Sequence, residues 1–416
     1  MRKYAGRHGQ KKFDFEDAVK ACESSSELSA RVVEDFLMYY AARQEHLDKE
    51  LDTKLSGYRD VVRLMDNESW LSGLKAQYIV HRLFKEGGLI GKYLGHNAVR
   101  QLGDKEVEYL RFQARHPWRF SFSVIADEPA KQFYEMEDVF RGERFILYSP
   151  GTDYTLSANT VELWFNLIGF NGKCWQTFGP IIPFRGFETD DIWFFATELN
   201  RSIEDEAGII ADVEKNPLPY CLLISGSEFP VTVAGKNRIV FVSAEYDLPS
   251  FSGESLGDGF YVEYNRNVYR LSPKKWSEPP HYGEGYYDEK RRSLILTAMS
   301  DRGFAALGGM LKQKGFDVSD EPQIRVSPAM IVTAERILRR KIRLNPYESL
   351  FEKERSFEQR REMEKLNQLL QLILPDINAG REPDIEALAL KVGVDPLLAK
   401  HVVGQAVKRA KKLRGS

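Results

Sequence analysis

The sequence predicts a multi-domain α+β protein, with a helical N-terminal domain, a central small β-barrel or rolled sheet, a second α+β domain and a helical C-terminal region. Three observations predict it. The chain has 416 residues, beyond the roughly 250–300 at which a single hydrophobic core stops growing. Apolar residues make up 43% and charged residues 29%, proportions that fold rather than stay disordered. The hydrophobic period also changes along the chain, from helical spacing before His116-Pro117, to aromatic alternation after it, to helical spacing again at the end.

Residues 1–12 are basic, glycine-containing and aperiodic, which predicts a mobile basic arm. Over 13–115, Phe15, Val19, Leu28, Val32, Phe36 and Tyr39 recur at helical spacing, continued by Leu51, Leu55, Tyr58, Val62 and Leu64, so amphipathic helices are expected. A further helix over 71–85 should stop at Gly87-Gly88, where the missing Cβ permits a left-handed turn. Pro117 biases His116 away from helix. The apolar runs at 120–125, 132–137, 144–149, 160–170, 174–178 and 192–196 then predict a β-rich domain over 116–215.

Asn216-Pro217-Leu218-Pro219 marks the next boundary, because proline can neither continue a helix nor donate to a sheet. Over 216–345, strand-like runs at 220–224, 238–242, 259–264, 268–271 and 294–298, with a helix at 301–314 closed by Gly315, predict the second α+β domain. Helices are expected at 328–342 and 347–373. Pro375, Gly380 and Pro383 separate the latter from a final helical pair, so 346–416 reads as a helical region.

Lys and Arg number 59 against 61 Asp and Glu, a net charge of −2, so no global field draws the molecule to polyanions or membranes. Cys22, Cys174 and Cys221 are far apart and none belongs to a CxxC pair, which argues against a zinc knuckle or disulfide framework and for a reducing compartment. With no signal-peptide core at the start and no run of about 18 apolar residues, a cytoplasmic location without a membrane is expected.

Between Phe120 and Phe184, the order Phe120-Ser121-Phe122, Glu137-Asp138-Val139-Phe140-Arg141-Gly142-Glu143 and Phe178-Gly179-Pro180 resembles a β module of uncharacterised bacterial proteins that often carry SEC-C motifs. Trp276-Ser277-Glu278-Pro279-Pro280-His281 has a similar character. The resemblance covers about half the chain, and the cysteine-rich zinc ligands of the SEC-C motif are absent. It implies a β module, no metal site and no activity transferable residue by residue.

The pattern from Asp384 to Val403 fits a helix, a tight turn and a second helix, the module then spanning 384–412. Ile385, Leu388 and Val402 take core positions similar to those of helix-turn-helix proteins, Ala389 lets the helices approach, Gly393 supplies the turn, Asp395 caps the second helix and Pro396 fits its first turn. For a nucleic-acid reader, Leu397, Lys400, His401 and Gln405 would face the groove, and Lys408, Arg409, Lys411, Lys412 and Arg414 would hold phosphates. No acidic side chain interrupts Lys400–Arg414. The competing reading is a protein-interaction module or plain terminal bundle, and Leu397 and Leu398 favour it because a groove-facing surface is usually more polar.

Other signals are weaker. Gly253-Glu254-Ser255-Leu256-Gly257 has the GxSxG spacing without the strand before it or the helix after it. Gly87-Gly88-Leu89-Ile90-Gly91-Lys92 lacks the first glycine and the final Ser/Thr of a phosphate loop. None of the seven histidines forms a metal-binding pair, and each reads as structural. Glu188, Asp190, Asp191 and Glu198 form an acidic cluster that would suit Mg²⁺, against the common alternative of a solvated loop. Trp276, His281, Tyr282, Tyr286 and Tyr287 suggest an aromatic loop suited to a partner, or one that covers the core. Arg336, Arg339, Arg340, Lys341 and Arg343 form a basic strip expected to pair with acids over 352–364, and Phe357, Leu366, Leu369, Leu370 and Ile373 offer a dimerisation stripe. The sequence thus leads to a non-catalytic cytoplasmic regulatory or scaffold protein, without cofactor, whose C-terminal module binds DNA, RNA or a protein partner. The alternative is a metal-dependent hydrolase or nuclease using the acidic cluster.

Overall fold

The computed structural model describes residues 13–65, 67–158, 161 and 163–227, and most of 229–351, omitting 230, 232, 235–236, 252–255, 258 and 277–281. Toward the C-terminus it describes 362, 364–366, 368–369, 372–373, 376, 383–400 and 403–404. The basic arm at 1–12 and Ser255 lie outside the described residues. The architecture is α+β and multi-domain, with a closed five-strand barrel and a second sheet. The chain divides into two compact units, Met1–Glu228 with Ile324–Ile342, and Phe229–Gln323 with Arg343–Ser416.

The first unit begins with α1 (Phe15–Leu28), whose Asp14 cap accepts from Asp17 N, and which runs into a π-helical stretch, Ser29–Leu37. Then come α2 (Met38–Glu45), α3 (Leu47–Ser56), α4 (Arg59–Met65), α5 (Glu68–Phe84), α6 (Ile90–Leu94), α7 (Asn97–Arg100) and α8 (Asp104–Arg115). The break expected at Gly87-Gly88 is real: Gly87 has φ +64 and a Cβ on Gly88 would lie 2.5 Å from the Leu83 carbonyl oxygen.

Strands β1 (Arg119–Ala130), β2 (Phe133–Asp138), β3 (Arg144–Tyr148), β4 (Leu163–Phe170) and β5 (Trp175–Phe184) close in the order β1-β2-β3-β5-β4. The β3–β5 pair is parallel, so the chain must cross over between them. It does so through α9 (Pro150–Ala158) and β4. Both faces of β4 are buried. Trp164 and Ile168 join Tyr134, Met136 and Leu147, while Phe165 stacks on Phe120 and Phe122 with ring centroids 4.9 and 4.2 Å apart.

Helices α10 (Thr189–Leu199), α11 (Glu206–Lys215), α12 (Leu218–Leu222) and α13 (Ile224–Ser227) complete this stretch. They correct the strands expected at 192–196 and 220–224. Short apolar runs fit a buried strand or a buried helix equally, and here the termini decide. Glu188 and Asp191 form a reciprocal capping box at α10, and proline occupies the first turn of α12. The unit is completed from afar by β13 (Ile324–Val326) and α15 (Pro328–Leu338), the latter capped by Ser327. The helices of 13–115 and the strands of 116–215 therefore share one unit, and the expected 216–345 domain is divided.

In the second unit, a short hairpin of β6 (Val233–Ala234) and β7 (Asn237–Arg238) precedes β8 (Phe241–Asp247), β9 (Phe260–Asn265), β10 (Val268–Pro273), β11 (Gly283–Asp288) and β12 (Ser293–Ala298). The last five pair antiparallel in the order β8-β12-β11-β10-β9. Helix α14 (Asp301–Lys312) packs Phe304, Leu307 and Leu311 against Val242, Leu271, Leu294 and Leu296. On other positions of the same strands, Val268, Tyr286 and Ile295 meet Tyr347 and Phe351, the latter on α16 (Glu348–Phe351). The last helix with a complete run is α17 (Ile385–Val392).

Candidate functional site

The C-terminal module is built by local rules. Asp384 accepts from Ala387 N at 3.0 Å and starts α17. Gly393, at φ +71, ends it, and Val394 N returns to the Ala389 carbonyl at 2.9 Å. Asp395 Oδ1 then accepts from Leu397 N at 2.8 Å and Leu398 N at 2.9 Å, starting the helical turn at 396–400. Lys365 reaches the Gly393 carbonyl at 2.9 Å. The core is aliphatic and small: Leu369, Ile373, Ala389, Val394, Ala399 and Val403, flanked by Leu366, Ile385, Leu388 and Val392. Leu390, Leu397 and Leu398 stay outside it, 70%, 79% and 47% exposed. Lys400 pairs with Glu386 across the turn. His401, Val402, Gln405, Lys408, Arg409, Lys411, Lys412 and Arg414 lie outside the described residues.

The acidic cluster is differently disposed from a metal site. Glu188 and Asp190 face Arg325, the second at 3.6 Å. Asp191 accepts Glu188 N at 2.9 Å and Ser327 N at 2.6 Å, and Glu198 binds Arg340. Among the described residues, no group of three or more His, Cys, Asp or Glu is placed to hold a metal ion. The four carboxylates instead hold the returning β13–α15 segment, which pairs each with a cation or a backbone N–H. Arg340 of the basic strip pairs with Glu198 and Lys341 with Glu335, the latter at 2.8 Å, while most of the acids expected over 352–364 lie outside the described residues.

The expected aromatic loop is largely a strand. Tyr286 and Tyr287 are adjacent on β11, and successive strand residues face opposite ways. Both are therefore buried, Tyr287 stacked on Phe251 at 4.5 Å and Tyr286 beside Tyr347 and Phe351. Trp276 packs at the edge of the α14 core, Tyr282 is exposed, and His281 lies outside the described residues. Among the four described residues, no single aromatic surface is formed.

Two constellations went unforeseen. His81 on α5, 1% exposed, donates through Nε2 to Glu214 Oε2 of α11 at 2.8 Å. Glu214 Oε1 accepts Phe120 N at 3.0 Å and lies 3.7 Å from Arg141, while the Glu214 carbonyl accepts Lys85 Nζ at 3.0 Å. Asp138, also buried, accepts from Ser121 Oγ, Phe140 N and Arg141 N at 2.8, 3.1 and 2.9 Å, and Gly142 closes the turn at φ +65. That network explains the Glu137–Glu143 motif as a capped β2–β3 turn tied to α11. Burial pushes the His81 pKa below its ordinary value, with Glu214 opposing. The neutral ring leaves Nδ1 as a buried acceptor without a partner among the described residues. A cavity of about 10 Å³ lined by Asp138, Arg141 and Val213 among others admits no more than a water, and the hydrogen bonds of the group tie α5 and α11 to β1.

The second constellation joins two of the three cysteines. Cys22 Sγ and Cys174 Sγ lie 3.4 Å apart as buried free thiols, a meeting that a separation of 152 positions hides from any spacing rule. The Asn171-Gly172 turn before Cys174 was the one local clue.

No family model, curated protein or solved structure matches the chain. Among the described residues, no helix is long and apolar enough to cross a membrane.

Proposed function

We propose that the chain is a non-catalytic regulatory or scaffold protein of the cytoplasm, whose C-terminal helix-turn-helix-like module docks on a protein partner. One observation carries the reading. Leu390, Leu397 and Leu398 flank a turn fixed by Asp384, Gly393 and Asp395, and they stand in solvent beside a small core that has no place for them. Grouped exposed apolar side chains on an ordered scaffold mark protein interfaces more than nucleic-acid ones, which are polar and positively charged. Lys400, the one described cation among the proposed nucleic-acid contacts, is neutralised by Glu386.

A photo-reactive side chain at position 397 of the full chain tests this. A discrete protein adduct that Leu398→Glu removes is the expected result. Nucleic-acid adducts, together with DNA or RNA anisotropy that falls steeply with salt and vanishes in a chain ending at Gly380, would transfer the function to the basic tail. Calorimetric binding of Mg²⁺ or Mn²⁺ that is lost on combining Asp190→Ala with Asp191→Ala would instead restore the hydrolase reading.

A further inference from the structure

We infer that Cys22 and Cys174 form a redox modification site, a dithiol that a peroxide converts reversibly to a disulfide tying α1 to the β4–β5 turn. The geometry is specific to this pair. Asn171 Oδ1 accepts from Lys173 N and Cys174 N, both at 2.9 Å, which fixes the turn that presents Cys174. Its Nδ2 approaches Cys22 Sγ at 3.2 Å and Cys174 Sγ at 3.6 Å and donates to Gln176 Oε1 at 2.9 Å. Gln176 Nε2 in turn holds the Cys22 carbonyl at 3.2 Å and Ser26 Oγ at 3.3 Å. Lys173 and Asp17 add an ion pair of 2.6 Å between the same two elements.

A buried cysteine that only fills space needs no such frame, since it packs as a small apolar side chain. Cys221 shows that ordinary case, fully buried with its thiol pKa pushed up by desolvation. Between the other two, the hydrogen bond from Cys174 holds the Cys22 pKa below the usual thiol value, with Asn171 adding to it, and the same bond raises that of Cys174. Asn171 Nδ2 also lies nearer Cys22 Sγ than Cys174 Sγ, 3.2 against 3.6 Å, so the donor stabilises a thiolate at Cys22, which is the attacking sulfur, and Cys174 is the resolving one.

The steps balance. The Cys22 thiolate attacks one peroxide oxygen, the O–O bond breaks, and the departing hydroxide takes the displaced thiol proton and leaves as water. Cys174 sulfur then attacks the sulfur of the Cys22 sulfenic acid, the S–O bond breaks, and the Cys174 proton leaves with the oxygen as a second water. One peroxide and two thiols give one disulfide and two waters, with the sulfurs closing to about 2.05 Å. A cavity of about 110 Å³ lined by Ser26, Gln176 and Thr177, among others, ends at Gln176, whose Nε2 donates to the Cys22 carbonyl, so a small reagent reaches the sulfurs by displacing that one side chain. A reagent little larger than water fits there.

The test treats the full-length chain with hydrogen peroxide, quenches, unfolds and alkylates it, and maps peptides by mass. The expected product is a Cys22–Cys174 linked peptide with Cys221 alkylated, reversed by dithiothreitol, and a melting temperature raised by about 5–10 °C. Cys22→Ser should abolish both the link and the shift. Asn171→Ala should slow the reaction by about tenfold. Cys174→Ser leaves Asn171 intact and should accumulate a Cys22 sulfenic acid that dimedone labels. Both thiols remaining alkylatable at peroxide levels that oxidise an exposed-thiol control, a link through Cys221, or no dimedone label in Cys174→Ser would each overturn the assignment.

Discussion

The barrel and the C-terminal module solve the same problem of burial in opposite ways. The barrel packs large rings, with Phe122 stacked on Phe165 and Tyr220 set edge-on to Phe122, and it is tied together by polar contacts between elements, His81 to Glu214 and Asp138 to Ser121. Among its described residues, the module buries aliphatic and alanine side chains and leaves three leucines out. Charged groups inside a fold are therefore not by themselves a sign of chemistry. In this barrel they join helices to strands, and the cavity beside them is water-sized. The exposed leucines of a capped, well-specified module are the more informative feature, because nothing in its own core explains them.

The contrast predicts a descending series of effects. Trp164→Ala removes a fully buried ring from the barrel and should cost about 3–5 kcal/mol, measured as a lowered urea midpoint of the first unit. Glu214→Ala strips the acceptor from His81 and from Phe120 N–H and should cost about 2–4 kcal/mol. Glu214→Gln, which keeps an acceptor, should lose less, and equal losses would show that the polar network contributes nothing specific.

Acid should act through His81. Its folded pKa lies below the ordinary 6.5, so as pH falls the unfolded chain takes the proton first. The stability conferred by neutral His81 is complete above about pH 6.5 and declines as pH drops toward the lower folded value. Thermal melts from pH 7.5 to 5 should record that slope, and His81→Gln should flatten it.

Effects on the module should be smaller and local. Gly393→Ala puts a Cβ on a residue at φ +71 and should cost about 1 kcal/mol. Asp395→Ala, which loses the cap on Leu397 and Leu398, should cost a similar amount, about 1 kcal/mol. Hydrogen exchange should confine both losses to 384–404. Leu390→Ser, at a side chain 70% exposed, should change stability by less than about 0.5 kcal/mol yet abolish the docking adduct formed from position 397. A large stability loss there would mean the leucine is buried in solution and would remove the basis for the docking surface.

The module was largely legible because its rules are local. Asp384, Gly393 and Asp395 act within four positions of themselves, and a cap or a left-handed glycine has the same cost in any context. The barrel was legible as alternation and aromatic content, but not everywhere. Ile192–Ala196 and Tyr220–Ile224 are apolar runs without a period, and capping rather than hydrophobicity made them helices. Tyr286 and Tyr287 looked like a loop cluster because β11 follows proline-rich sequence, and pairing with β10 and β12 separated them.

By itself the sequence determined the α+β class, the helix-to-strand change at Pro117, the caps and the turn of the final module, all of which depend on residues within a turn or two of one another. Only the tertiary structure decided that Ile324–Ile342 returns to the first unit, that the acidic cluster faces Arg325, Ser327 and Arg340, that His81 meets Glu214 and that Cys22 meets Cys174. The physical reason is that such pairings are fixed by the packing of whole elements. The entropy of closing a long loop varies only slowly with its length, so sequence separation says almost nothing about which distant partner is chosen.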